Sequence, residues 1–171
     1  MPRNRNLGRA SAARRFAPTR FSVRDYPFIS MHQIIVKNNE NIGSALKAMR
    51  LTPPKWRVLA ILQERDGIHI GDLSRETAIE RSLLSRILSS LERDGLVRKV
   101  PSPKDRRYTA IYLKARGHKT FRKILPAARR QIEQAIAGVS KPSMLALTRI
   151  LRQISQNLTS TARGSARRAK T

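Results

Sequence analysis

Between Arg81 and Asp94 the apolar residues Leu84, Ile87, Leu88 and Leu91 fall at i, i+3, i+4 and i+7, the spacing of a helix with one buried face. Apart from Leu83, every other side chain of the stretch is polar, so the helix must rest on a core and leave its opposite face free. Gly95 ends it. Just upstream, Gly71–Ala78 is expected as a shorter helix anchored by Leu73, and only Ile79 and Glu80 separate the two. Two short helices with so tight a connection form a helix-turn-helix. The second, about residues 81–94, is its recognition helix.

Beyond Gly95 the chain changes period. Leu96–Val100 and Tyr108–Leu113 read as strands around a loop at Pro101–Asp105. Tyr108, Ala110 and Tyr112 alternate with Thr109, Ile111 and Leu113, so one side of the hairpin lies on the helices and the other faces outward. The prolines fix the loop and protect its edge from pairing with another chain. This hairpin, about residues 96–113, is a wing. Ile68–Ile70 is long enough only for a bridging strand.

Long helices flank this unit. Phe28, Met31, Ile35, Ile42, Ala45 and Met49 step along one helix, broken only by Asn38. Thr52-Pro53-Pro54 stops it and starts the next, with Thr52 placed to cap and Trp56, Leu59, Ala60 and Leu62 as its stripe. After the wing, Phe121 to Val139 forms a long helix with Pro126 as a kink, and Ser140 opens the last one, carrying Met144, Leu147, Leu151, Ile154 and Leu158. The seams at the two ends exceed what a small winged domain can bury alone, and dimerisation through both is the natural solution. The alternative is that they pack on each other within one protomer. The expected fold is mainly α with a small β-hairpin wing: a winged helix-turn-helix lobe plus dimerisation helices from both ends of the chain, over residues 26–158.

The 171 residues carry a formal charge of +25 and no cysteine. A polyanion is therefore the expected partner, because clustered Lys and Arg displace counterions from phosphates. Disulfide frameworks, thiolate metal sites and thiol redox switches are excluded. Residues 1–25, with seven arginines against Asp25, are expected as a disordered basic arm, and 159–171 as a disordered basic tail. The arm's composition also fits an organelle transit peptide. These segments hold +6 and +4 of the charge, which leaves +15 on the body. No stretch reads as membrane-spanning, so the expected location is the cytoplasm, on the nucleoid, without a membrane partner. His32, His69 and His118 lie in different elements at no metal-ligand spacing, and no phosphate-binding glycine loop or nucleophile elbow is present. Neither catalysis nor a cofactor is expected.

The runs Leu51–Leu59, Asp72–Ser74, Arg81–Arg86, Leu91–Val97 and Asp105–Arg107, in this order and spacing, resemble the MarR family of prokaryotic regulators over roughly residues 26–158. The resemblance implies a homodimer joined by its terminal helices, winged helix-turn-helix lobes that bind double-stranded DNA, and relief of repression by a small aromatic or acidic effector. Two positions depart from it. Leu83 stands where the family often has Thr, so no family operator sequence carries over. Lys114 stands where a Thr often caps the helix after the wing, and its loss weakens that cap by ~1 kcal/mol.

With the leucine stripe inward, helical geometry turns Ser82, Ser85, Arg86 and Ser89 outward, with Arg81 at the N-terminal end. Arg86 can pair with a guanine, the serines are short enough to let the helix enter a groove, and Leu83 can touch a thymine methyl. Against this stands the reading of Arg86 as a phosphate contact or solvated charge. In the wing, Asp105 can hold Arg107 extended, and the resemblance assigns this arginine to the minor groove, with Lys104 and Arg106 on flanking phosphates. Arg98 and Lys99 are expected on the phosphate backbone. By resemblance, a ligand pocket is expected near Phe28, His32, Trp56 and Arg57; the plainer alternative makes Phe28 and Trp56 core and His32 solvated. The function expected is sequence-specific DNA binding by a transcription regulator, a repressor on a pseudo-palindromic operator. The rival is a nonspecific nucleoid or RNA-associated basic protein.

Overall fold

A computed structural model describes residues 26–101 and 108–168, with side chains as far as 160. The chain divides into two compact units that meet between Gln131 and Ile132. In order, the first holds α1 (Pro27–Ala48), α2 (Pro53–Glu64), β1 (Ile68–His69), α3 (Ile70–Thr77), α4 (Arg81–Arg93), β2 (Val97–Pro101), β3 (Thr109–Leu113) and most of α5 (Ala115–Ala135). The second holds the end of α5 and α6 (Lys141–Arg168).

The first unit is built on the apolar stripe of α4. Leu84, Leu88 and Leu91 are fully buried together with Leu46, Leu59, Leu62, Leu73, Ile111 and Ile124, which draws α1, α2, α3, β3 and α5 into one core. Truncating any of these leucines to alanine leaves a cavity, at roughly 2–5 kcal/mol. The strand order is β1-β3-β2, antiparallel throughout, with Val97 opposite Leu113 and Pro101 opposite Thr109. Ile111 and Leu113 point into the core while Tyr108 is exposed, in keeping with the expected alternation. The bridging strand becomes a third sheet strand because Ile68 pairs with Ile111 and the Gly67 N–H donates to the Ile111 carbonyl at 3.0 Å.

Asn38, the break in the α1 stripe, has a structural use. Gln131 Nε2 donates to its carbonyl at 2.5 Å and to its Oδ1 at 2.7 Å, a polar pin between α1 and α5. Pro126 lies within α5 without dividing it. Thr52 is the residue before α2, yet its side chain makes no capping hydrogen bond; Pro54 removes one of the two N–H groups such a cap serves.

In the second unit, Ser140 Oγ accepts from the Ser143 N–H at 3.2 Å and so caps α6. That helix passes residue 158, its expected end, and runs to Arg168, with Thr159 Oγ1 donating to the Ser155 carbonyl at 2.9 Å. Composition suggested a disordered tail from 159. Extending a formed helix needs no new nucleus, and Thr159–Gly164 contains no proline.

Candidate nucleic-acid interface

The turn between α3 and α4 sets the direction of α4, and several local bonds fix it. Ala78 adopts the left-handed conformation, with φ of 51°. Its N–H and that of Ile79 donate to the carbonyls of Arg75 and Ser74, both at 3.3 Å, and Ser74 Oγ donates to the Ile79 carbonyl at 2.7 Å. Ile79 is buried. Arg57, from α2, donates through Nη1 to the Thr77 carbonyl at 3.0 Å.

Glu80 caps α4. Its carboxylate accepts from the Ser82 N–H at 2.9 and 3.0 Å and from the Leu83 N–H at 3.2 Å, and it also holds the Ser82 hydroxyl. The Ser82 side-chain bond foremost, then the backbone bonds, with a smaller contribution from Arg86, keep this carboxyl below the ordinary glutamate range. Glu is not a favoured capping residue, which is why the sequence pattern did not single it out.

Beyond the cap, Arg81, Ser82, Leu83, Ser85, Arg86 and Ser89 are all exposed, on the side of α4 opposite its buried stripe. Of these, Ser82 and Ser89 have side-chain hydrogen-bond partners, and Arg86 interacts electrostatically with Glu80. Lys99 Nζ donates to Ser89 Oγ at 2.9 Å and pairs with Glu92 Oε2 at 3.2 Å, while the Lys99 N–H donates to Glu92 Oε1 at 3.1 Å. The lysine expected on the phosphate backbone thus fastens β2 to α4. Arg98 is exposed, with its guanidinium 4.4 Å from the centre of the Tyr112 ring. The wing-loop residues Lys104, Asp105, Arg106 and Arg107 lie outside the described residues.

The four residues expected around a ligand have the following surroundings. Trp56 stacks on Phe121 with ring centres 5.0 Å apart and packs on the core; Phe28 is half-buried beside Tyr26; His32 is exposed. Arg57 serves the α3 turn. None of the four lines any of four clefts, of 720, 610, 440 and 420 Å³, on the described surface. No helix among the described residues is long and apolar enough to cross a membrane.

Residues 51–107 match the model of the MarR family. Over 164 residues the chain is 27% identical to the HTH-type transcriptional repressor IacR of Pseudomonas putida, covering 92% of this chain and 98% of that one. It is 32% identical over 112 residues to the homoprotocatechuate degradative operon repressor of Escherichia coli, covering 63% of this chain and 73% of the relative. A solved MarR-family transcriptional regulator from Silicibacter pomeroyi superposes with a TM-score of 0.72 at 29% identity, over 80% of this chain and 92% of that structure.

Proposed function

The chain belongs to the MarR family of transcription regulators, and on that premise we propose that it is a repressor that reads a specific double-stranded DNA operator through α4. What carries this reading is the exposed face of α4, where Arg81, Ser85 and Arg86 point away from the core and neither arginine is in a salt bridge among the described residues. Its width suits a major groove, in which the N-terminal residues of such a helix meet base edges. Arg86 supplies a donor fork for a guanine, and Leu83, exposed to 43%, supplies apolar contact for a thymine methyl. The wing residues Lys104, Arg106 and Arg107 complete the grip in this reading, and Lys99 is withdrawn from it.

The working form is a homodimer in the same proposal. Ile34 and Ile35 of α1 are exposed to 68% and 52%, and along α6 Leu145 and Leu158 are exposed to 59% and 57%. Apolar rows of this kind on long helices are commonly covered by a second copy. Release by a small aromatic or acidic effector belongs to the reading as well. It is supported by the Escherichia coli relative, which by its name represses a degradative operon for homoprotocatechuate.

Recovery of bound genomic fragments tests the proposal. A shared pseudo-palindrome with half-sites about one helical turn apart is expected. Fragments without a common sequence would favour the rival that the +25 charge supports, a nonspecific nucleic-acid binder.

A further inference from the structure

A cleft of 720 Å³ opens at the end of α4 remote from Arg81. Arg50, just after α1, forms one wall; Asp94 and Leu96, on either side of Gly95, form the second; Arg116, Lys119 and Lys123, on one face of α5, form the third. None of these four cations has an ion-pair or side-chain hydrogen-bond partner among the described residues, whereas Asp94 is engaged by Lys55 at 3.4 Å. The first turn of α5 contains no acid. Four cations thus gather around a concave space whose one lining carboxylate, Asp94, is paired with Lys55. Its volume lies in the range of about 300–1,000 Å³ that small molecules occupy.

The floor is rigid. The Lys114 N–H donates to the Leu96 carbonyl at 2.9 Å, and Gly117 packs so closely that a Cβ there would stand 2.2 Å from the same oxygen. Arg116 runs past Gly95, its Cδ and Nη1 3.9 Å from where a Cβ would be.

We propose that this cleft binds a small polyanion carrying at least two phosphate groups. Arginines offer planar forks that match phosphate oxygens, and lysines add point charges beside them. A monoanion would leave most of the positive charge unanswered. The site is separate from the reading end of α4, whose 13 residues span roughly 20 Å. A ligand drawn in by Arg50 and Arg116 would bear on Gly95 and Leu96, where the reading helix passes into β2.

Calorimetric titration of the full chain with inorganic pyrophosphate and with ADP tests this. The parent should bind one ligand per chain, and the K119E/K123E variant should bind about ten-fold or more weakly. The charge-matched R129E/R130E variant, altered at exposed positions of α5 outside the cleft, should stay within about two-fold of the parent. Equal losses in both variants would mean diffuse attraction to a basic chain and would overturn the site, as would the absence of saturable binding to the parent. Ligand-free binding to duplex DNA, measured on the same proteins, separates this result from the regulator reading. A loss of DNA affinity confined to K119E/K123E would make the cleft a DNA-backbone surface and sink the proposal.

Discussion

Lys99 Nζ donates to Ser89 Oγ at 2.9 Å, which joins the first strand of the wing to α4. A lysine so engaged is expected to contribute less to DNA binding than its position suggests. Lys99→Met should leave the salt dependence of DNA binding unchanged, whereas Lys104→Ala should lower its slope by about one. The pair with Glu92 is partly exposed, so Lys99→Met should lower folding stability by no more than about 1 kcal/mol. Binding at several salt concentrations decides it. A slope reduced by about one in Lys99→Met would put the ammonium back on a phosphate.

Glu80 gives a pH dependence of known sign. Its hydrogen bonds to Ser82 and Leu83 favour the ionised carboxylate, so it binds its proton less tightly in the folded chain than in the unfolded one. The stabilisation is complete above the ordinary glutamate range and is lost as pH falls through the lower folded-state value. Glu80→Gln should therefore be less stable than the parent near neutrality, with the difference shrinking in acid. Urea midpoints across that range measure it, and a gap independent of pH contradicts the cap.

Gly117 is fixed by close packing. Since a Cβ there would stand 2.2 Å from the Leu96 carbonyl oxygen, Gly117→Ala should force α5 away from the α4–β2 junction and destabilise by roughly 1–3 kcal/mol. Urea unfolding of the variant reads this directly. An unchanged midpoint would show that the junction yields.

The exposed pair Ile34 and Ile35 predicts the assembly. The parent should sediment at twice the chain mass, and Ile35→Lys should shift it toward the monomer with helical circular dichroism retained. A monomeric parent contradicts the dimer.

Sequence alone could locate α4 because burial imposes a period: Leu84, Ile87, Leu88 and Leu91 show their inward face without any knowledge of the partner. The outward face follows from the same geometry, which is why Arg81, Ser82, Leu83, Ser85, Arg86 and Ser89 emerge together on the surface. Hydrogen bonds between elements leave no such trace. Arg57 beside Trp56 suggests a ligand group, but its partner is the Thr77 carbonyl, a main-chain atom that no residue type advertises. Lys99 finds Ser89 only once β2 has been laid against α4. Asn38 looks like a flaw in a stripe until Gln131 meets it from a helix 93 residues away.

Sequence reading by α4 is tested most directly by measuring, at physiological salt, affinity for the recovered operator against a random duplex of equal length. The parent should prefer the operator by at least ~10³. Arg86→Ala should lose about 1–3 kcal/mol on the operator and little on the random duplex. A parent ratio near one, or an Arg86→Ala protein that matches the parent on both duplexes, would contradict reading through this face.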